Sequence, residues 1–277
     1  MFTSEQPQPS ASSTDDNPGN AGHVEVTVLG EAAIVATNPD RRPRRKALEL
    51  LVYLAVHDGS ATVEAILDDL LPDAPASKAP ERLHTYVSDL RAVMRRTGGP
   101  ATYLTHPHRR YTLNPDTIDI DLWRMRAAIR EAHQTTDPQQ RIDALQRAVD
   151  AYRGPLADGA DYEWAEPYRQ AIRQQALDAH LALADALTDD PAAQIRVLET
   201  AISHSPYSEQ LYQQAMRARA TLGQPDAIRT LRRALHRALA EIDAEPSDDT
   251  TALADQLIAD LQRPGRRTDI QSPSSAN

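Results

Sequence analysis

The sequence predicts a mainly α-helical protein made of two folded parts. The length of 277 residues fits two domains, at about 100 to 200 residues for each. Short alternating apolar runs, which predict strands, occur only before Ile118, where they flank three helical patterns. From Ile118 onward, apolar residues recur every three or four positions through one helix after another. The predicted fold is therefore a small α/β part followed by an all-α part.

The composition is that of a globular protein and excludes several kinds of site. Hydrophobic residues make up 40% of the chain and charged residues 25%, which is unlike a wholly disordered protein. The absence of cysteine excludes a disulfide framework, a thiolate zinc site, an iron–sulfur cluster and a cysteine nucleophile. Because neither an export signal nor an apolar run of about 18 residues is visible, we expect a cytoplasmic protein.

The net charge of −10 is unevenly distributed along the chain. Residues 24–115 carry 12 basic and 11 acidic side chains, whereas residues 116–263 carry 16 and 25. The total argues against a protein that binds nucleic acid over its whole surface. The acidic excess lies in the C-terminal half, and the basic residues of the N-terminal half are clustered.

The N-terminal half begins with two short strands joined by a tight turn. Val24, Val26 and Val28 alternate with polar residues, and the pattern resumes at Ala33–Val35 after Gly30. Three helices follow, over Arg44–His57, Thr62–Leu71 with Thr62 as N-cap, and Ser77–Thr97. A closing hairpin then has its two strands at Tyr103–Thr105 and Tyr111–Leu113. This order of elements is that of a winged helix, whose third helix enters the major groove of DNA while the hairpin contacts the backbone or minor groove.

The C-terminal half is predicted to contain seven helices and no strand. Their ranges are Leu122–Thr135, Pro138–Tyr152, Trp164–Leu187, Pro191–Ser203, Ser208–Leu222, Asp226–Ile242 and Thr250–Leu261. Ala193–Ile202 and Ala227–Leu235 resemble each other at a spacing of about 34 residues, with Pro246 placed as in tetratricopeptide repeats. The pattern indicates a degenerate tetratricopeptide-like array.

The third helix of the N-terminal half has a clear core face. At 100° per residue, its apolar positions Leu83, Val87, Leu90 and Met94 fall on one side. The opposite side and its edges present Glu81, Arg82, His84, Thr85, Ser88, Asp89, Arg91, Ala92, Arg95 and Arg96. Arginine, threonine, serine and histidine can reach bases or phosphates, whereas Glu81 and Asp89 repel phosphate. The alternative is an ordinary charged surface of a globular protein.

Two basic clusters strengthen the DNA-binding interpretation. Arg41, Arg42, Arg44, Arg45 and Lys46 precede or begin the first helix, where positive charge opposes the helix dipole, so phosphate contact explains them better than helix stability does. A solvated basic run is the alternative. The hairpin tip adds His106, His108, Arg109 and Arg110. The candidate DNA-binding residues are therefore Arg44, Arg45, Arg82, His84, Thr85, Ser88, Arg91, Arg95, Arg96, His108, Arg109 and Arg110.

Specific sequence runs resemble a known family. Tyr86-Val87-Ser88-x-Leu90-Arg91 in the third helix, the run Tyr152–Leu156 (YRGPL) and Trp164 in its acidic setting are the most specific. Over about residues 24–261 the chain resembles SARP-type bacterial regulators, in which an OmpR-like winged helix precedes a bacterial transcriptional activator domain (BTAD). The resemblance implies promoter DNA bound by side-by-side copies on direct repeats. It also implies activation of transcription, self-association, and contact of the helical domain with RNA polymerase or another protein.

The chain departs from that family at four positions. Asp89 and Ala92 stand where basic residues are common, Leu71 where many members have tryptophan, and Arg110 where glycine usually precedes the wing tyrosine. Related pairs of domains resemble the cytosolic ends of membrane proteins, which implies a membrane-protein partner as a further candidate. The expected division is a disordered tail (1–22), a winged helix (23–115), the helical domain (116–263) and a second disordered tail (264–277).

Other chemistry has little support in the sequence. His84 and the pair His106 and His108 lack the spacing of a metal site, and Asp119 and Asp121 are explained by an N-cap and first-turn acid. No glycine-rich nucleotide loop is present, so we expect no cofactor, no metal and no enzyme. Six aromatic residues could line a groove between repeats or, more ordinarily, pack in the core: Trp123, Trp164, Tyr162, Tyr168, Tyr207 and Tyr212. The alternative to a DNA-binding regulator is an adaptor that has lost DNA binding and uses its helical array to bind a protein.

Overall fold

The computed structural model describes residues 22–35 and 42–263. The chain forms two compact units: the first takes in residues up to Val28 together with Ala32–Ile120, and the second takes in Leu29–Glu31 and the residues from Asp121 onward. The predicted tails and Arg41 lie outside the described residues, apart from Gly22. Helices dominate, so the predicted mainly α fold is confirmed. Within the described ranges, no helix is long and apolar enough to cross a bilayer.

The described residues of the first unit form three helices and six short strands. In chain order they are β1 (Val24–Thr27), β2 (Ala33–Ile34), α1 (Arg45–Val56), β3 (Ser60–Thr62), α2 (Val63–Leu70), α3 (Ala79–Gly98), β4 (Leu104–Thr105), β5 (Arg110–Leu113) and β6 (Ile118–Ile120). One sheet has the order β2-β1-β6 and the other has the order β3-β5-β4. The second sheet contains the predicted wing.

Two of these strands were not predicted, and the prediction of no strand beyond residue 116 is wrong for β6. β3 pairs with β5 in antiparallel fashion, and β6 pairs with β1 in parallel. Ile118 and Ile120 are buried on either side of Asp119, which is the alternation of a strand. Three residues are too short for periodicity to identify, and pairing with β1 depends on a partner far away in the chain. Asp119 is therefore a strand residue and not a helix cap.

The core of the first unit is centred on α1. Leu50, Leu51, Val52 and Leu54 are all 0% exposed, so the helix is surrounded by other elements on nearly every side. Thr62 caps α2, because its Oγ1 accepts a 3.2 Å hydrogen bond from the backbone N–H of Ala65. Gly99 ends α3 with a φ of 86°, a left-handed conformation that favours glycine. Both ends agree with the sequence prediction.

The second unit is a succession of seven helices within its described residues. They are α4 (Asp121–Gln134), α5 (Pro138–Ala151), α6 (Glu166–Ala186), α7 (Pro191–His204), α8 (Glu209–Thr221), α9 (Pro225–Ala240) and α10 (Asp248–Gln262), with a short 3₁₀ turn at Glu163–Ala165 before α6. Each helix packs against the next one, and α10 packs against both α8 and α9. Every predicted helix is present, with ends within about two residues of prediction.

Local chemistry explains where several of these helices begin. Asp137, Asp190 and Ser247 accept a hydrogen bond from a backbone N–H in the first turn of α5, α7 and α10. Asp121 is buried at the start of α4 and accepts from the backbone N–H groups of Leu122 and Leu29, at 2.8 and 3.0 Å. The carboxylate thus serves as a first-turn acid, and it also ties residue 29 to the second unit.

Candidate nucleic-acid interface

Helix α3 is positioned by its apolar face. The predicted stripe of Leu83, Val87, Leu90 and Met94 is at most 2% exposed, so the predicted core face is confirmed. Burying four large apolar side chains fixes the rotation of the helix, because each buried side chain contributes about 1.5 to 3 kcal/mol. The remaining side of α3 therefore faces away from the core of the first unit.

The opposite side of α3 is exposed and polar. Its exposed members are Glu81, Arg82, His84, Thr85, Ser88, Arg95 and Arg96, with Asp89, Arg91 and Ala92 half-buried. Arg82, Arg95 and Arg96 make no ion pair with any other residue of the described ranges. The Thr85 hydroxyl donates to the carbonyl oxygen of Glu81 within the helix, at 3.1 Å. This face offers guanidinium groups that are available to an anionic ligand.

Asp89 has an internal role. Its Oδ2 accepts a 2.8 Å hydrogen bond from the backbone N–H of Arg44, the N-cap residue of α1. Arg44 supplies no side-chain cap of its own, so the carboxylate of Asp89 provides an acceptor and a negative charge at the positive end of α1. The acid therefore holds the start of α1, with Arg44 and Arg45, beside α3.

Arg91 also has an internal partner. Its Nε and Nη2 donate to the carbonyl oxygen of Leu104 in β4, at 3.2 and 2.9 Å. The guanidinium group thus joins α3 to the wing hairpin. Among the candidate DNA-binding residues, Arg91 is the one best placed to fix the angle between these two elements, since its Nε and Nη2 both donate to the wing.

The wing ends in a tight turn with unusual backbone angles. The backbone N–H of Arg110 donates to the carbonyl oxygen of Pro107 at 2.9 Å, and the two central residues, His108 and Arg109, have φ of 49° and 58°. Positive φ at both central positions is the requirement of a type I′ hairpin turn, which ordinarily selects Asn and Gly. Two bulky side chains are therefore held at the tip, both of them exposed.

Arg109 of the wing forms an ion pair with Glu64 of α2. Its Nε and Nη2 lie 2.8 and 2.5 Å from Oε1 of Glu64, in the first turn of α2. The backbone N–H of Glu64 itself, and then the Arg109 guanidinium, hold the pKa of the Glu64 carboxyl below its ordinary value. Both side chains are largely exposed, at 75% and 56%. An incoming phosphate would therefore compete with Glu64 for Arg109.

The rest of the wing is anchored by packing and by weaker contacts. His106 stacks on Tyr111, with ring centroids 4.1 Å apart, and Tyr111 is 6% exposed. Arg110 extends its Nη1 to 3.5 Å from Ser60 Oγ in β3, and its side chain is otherwise exposed. Of the two predicted wing arginines, Arg110 is the one without a carboxylate partner within the described residues.

The basic cluster before α1 is only partly available. Lys46 pairs with Glu49 at 2.9 Å and donates to the carbonyl oxygen of Leu70 at 3.3 Å, so its ammonium group is used within the unit. Arg42, Arg44 and Arg45 are exposed, and Arg41 lies outside the described residues. The phosphate-contact hypothesis for this cluster therefore rests on its arginines and no longer on Lys46.

Sequence reasoning missed two residues that shape the interface. Glu64 controls Arg109, and Ser60 contacts Arg110 from a strand that was not predicted. The first-turn position of Glu64 after the Thr62 cap was visible, but its ion pair spans 45 residues. Across residues 22–35 and 42–263, no cluster of histidine, cysteine and acidic side chains is arranged to hold a metal ion.

Comparison with known proteins places the chain in a family. Residues 120–258 match the family described as "Bacterial transcriptional activator domain". The transcriptional regulatory protein EmbR of Mycobacterium tuberculosis is 26% identical over 248 residues, covering 87% of this chain and 62% of EmbR. The transcriptional regulatory protein MoaR1 of the same organism is 25% identical over 262 residues, covering 88% of this chain and 82% of MoaR1.

A solved structure has the same fold. It is that of Mycobacterium tuberculosis EmbR in complex with a low affinity phosphopeptide, with a TM-score of 0.62, 24% identity, and coverage of 86% of this chain and 65% of the other. The chain thus spans less than two thirds of the length of EmbR. The named relatives are transcriptional regulators and not enzymes. The match to the bacterial transcriptional activator domain, which extends over half of the sequence, shows that this chain belongs to the BTAD family.

Proposed function

We propose that this protein is a sequence-specific DNA-binding regulator that binds promoter DNA through α3 and the wing. The observation that carries the proposal is that the two faces of α3 differ. The side chains of the apolar face are at most 2% exposed, whereas the opposite face exposes Arg82, Arg95 and Arg96. A helix presented in this way, with a hairpin attached to it by Arg91, has the form of a recognition helix and its wing.

The candidate residues divide into two groups by their positions. Arg44 and Arg45 at the start of α1, with His108, Arg109 and Arg110 on the wing, would contact the phosphate backbone and set orientation. A second group on α3 would lie in or near the major groove, and consists of Arg82, His84, Thr85, Ser88, Arg95 and Arg96. Arg91 would act through the angle of the wing, because its Nε and Nη2 donate to the carbonyl oxygen of Leu104.

The second unit would supply protein contacts. Residues 116–263 carry 25 acidic against 16 basic side chains, so like charge would keep this part away from DNA. We propose that it mediates self-association on direct repeats and contacts RNA polymerase or another protein, with activation of transcription as the outcome. A membrane-bound protein is a further candidate partner. A regulator of promoter DNA would work in the cytoplasm.

The decisive experiment is a binding selection from random duplex DNA with the full chain, followed by salt titration of the selected sites. We expect paired motifs about 10 base pairs apart, whose affinity falls as salt rises, because phosphate neutralisation releases counterions. The double variant Arg95→Ala/Arg96→Ala should weaken binding. A matched control, Arg196→Ala/Arg217→Ala, removes two exposed arginines from the second unit and should bind normally. Absence of any enriched motif at low salt would refute the proposal.

An adaptor without DNA binding is the second candidate. Residues 24–115 carry a net charge of only +1, from 12 basic and 11 acidic residues, and Arg109 and Lys46 are already paired with carboxylates. Under this alternative, residual DNA binding would show a flat salt dependence and would respond equally to both double variants. A protein partner would then be captured by the second unit.

A further inference from the structure

A cavity lies among α4, α5 and α6 of the second unit. Its volume is about 360 Å³, within the range of about 300 to 1,000 Å³ that is typical of small-molecule sites. Much of the lining is apolar, with Ile129 from α4, Leu145 from α5, and Ala179 and Ala182 from α6. None of the six aromatic residues singled out in the sequence lines it. Packing of these helices has thus left a space that small alanine side chains do not fill.

Positive charge surrounds this apolar lining. Arg126 and Arg130 stand one turn apart on α4, and Arg141 comes from α5. The carboxylate of Asp178 also lines the cavity, and its Oδ1 accepts a 2.8 Å hydrogen bond from Gln174, so the lining has three arginines and one acidic side chain. The excess of cations is notable because residues 116–263 have 25 acidic and only 16 basic side chains. The cavity is therefore a local positive site in an acidic domain.

Helix stability does not account for these arginines. Like charges four residues apart on a helix destabilise it by a few tenths of a kcal/mol. Within the described residues, the side chains of Arg130 and Arg141 form no ion pair or hydrogen bond with a protein group. By contrast, Arg147 on the same helix α5 is paired with Glu131 at 2.6 Å. Both side chains are exposed, so two guanidinium groups at the rim of an apolar cavity are accessible to an anion that enters it.

A buried acceptor gives independent evidence. Gln175 lines the cavity from α6, and its Oε1 is buried without a hydrogen-bond partner in the described structure. Buried polar atoms are nearly always paired, so an orphan acceptor beside a cavity points to a missing donor. The missing group would belong to whatever occupies the space.

We propose that this cavity binds a small organic anion that has an apolar body and an N–H or O–H donor. The anionic group would be held by Arg130 and Arg141, and the apolar body would lie against Ile129 and Leu145. The donor would bond to Gln175 Oε1. The volume accommodates one small molecule, so a phosphate ion alone would leave the apolar lining uncovered.

The test uses the full chain and 1-anilinonaphthalene-8-sulfonate (ANS), a fluorescent probe that has a sulfonate, an aromatic body and an N–H. We expect saturable binding with a stoichiometry of one per chain. N-phenyl-1-naphthylamine has the same aromatic frame without the sulfonate, and it should bind at least about tenfold more weakly, because its charge-assisted contacts are absent. Equal binding of the two probes would overturn the proposal.

Variants localise the site. Arg130→Gln/Arg141→Gln should weaken ANS binding by about tenfold, whereas the control Arg196→Gln/Arg217→Gln, with the same change in net charge, should leave it unchanged. Ala182→Leu should block ANS by filling the cavity with every charge retained. Far-ultraviolet circular dichroism and tryptophan fluorescence without probe establish that each variant is folded. Equal loss in the control variant, or undiminished binding to folded Ala182→Leu, would contradict the assignment.

Discussion

The Oδ2 atom of Asp89 on α3 accepts a 2.8 Å hydrogen bond from the backbone N–H of Arg44 at the start of α1. This hydrogen bond gives a structural reason for an acidic residue on a helix that we propose to lie against DNA. Asp89 does not simply repel phosphate, because its charge is directed at the N-terminus of another helix. The arginines that follow are thereby held next to α3.

The first prediction concerns the two functions of Asp89. Asp89→Ala should destabilise the first unit by about 1 kcal/mol, the usual cost of losing a side-chain acceptor at a helix N-terminus. Asp89→Asn keeps an acceptor oxygen and removes the charge, so it should retain most of the stability and bind DNA more tightly. Amide hydrogen exchange in α1 measures the first effect, and DNA titration measures the second. Unchanged exchange in Asp89→Ala would show that the bond does not stabilise α1.

The second prediction concerns the ion pair between Arg109 and Glu64. Glu64→Gln should release the guanidinium for phosphate, raise DNA affinity several-fold, and steepen the slope of log K against log salt by about one. Filter binding at several salt concentrations measures both quantities. Glu163→Gln removes an exposed acid from the second unit and serves as the control. If Glu64→Gln/Arg109→Gln bound as tightly as Glu64→Gln, Arg109 would have no role in phosphate contact.

The third prediction concerns close packing at Gly98. A Cβ added there would lie 2.6 Å from Val24 Cγ2 and 2.9 Å from the carbonyl oxygen of His23. Gly98→Ala should therefore destabilise the first unit by about 1 to 3 kcal/mol, as overpacking does. Gly154→Ala, whose nearest contact would be 3.4 Å, should cost less. Urea unfolding followed by circular dichroism compares them, and equal stability of the two variants would contradict the prediction.

The fourth prediction concerns pH. Burial is the main cause that lowers the pKa of His180 below its ordinary value of 6.5. The hydrogen bond from Nδ1 to the carbonyl oxygen of Ala176 raises this pKa by a smaller amount, His204 lowers it further, and Asp150 raises it. The unfolded chain then binds more protons than the folded one, so the second unit should lose stability as pH falls through about 6.5. His204, whose pKa is also lowered by burial, contributes in the same direction.

Tryptophan fluorescence can measure this pH effect, because Trp123 and Trp164 both lie in the second unit. Urea midpoints should fall between pH 8 and pH 5.5, and His180→Gln should reduce the difference. His236→Gln removes an exposed histidine of α9 and serves as the control. The prediction fails if the wild-type midpoint does not change over this range.

Local signals in the sequence predicted much of the fold. The apolar spacing on α3 identified its buried face, and Thr62 and Gly99 marked helix ends through capping and positive φ. These effects act within a few residues, so the sequence reveals them directly. Local signals also mark the helices of the second unit, several of which begin at a proline or after an N-cap residue.

Whether each candidate site residue is free to bind DNA or already bonded within the protein was less predictable from the sequence. Arg44, Arg82, Arg95, Arg96 and Arg110 are exposed as expected of an interface. Arg91 and Arg109 are also in place, yet each has a partner that lies on another element, Leu104 and Glu64. Sequence alone treats all arginines as equivalent cations, and it cannot tell an available guanidinium from one already used.

The sequence by itself determined the helices, the order of the two parts and the face that α3 buries, because periodicity and capping are properties of neighbouring residues. Only the tertiary structure decided which charges remain available and where space is left. The bond from Arg44 to Asp89, the pair between Arg109 and Glu64 and the cavity beside Gln175 all join residues from different elements. Hydrogen bonds and Coulomb attraction act over a few ångströms in space, and folding alone sets those distances.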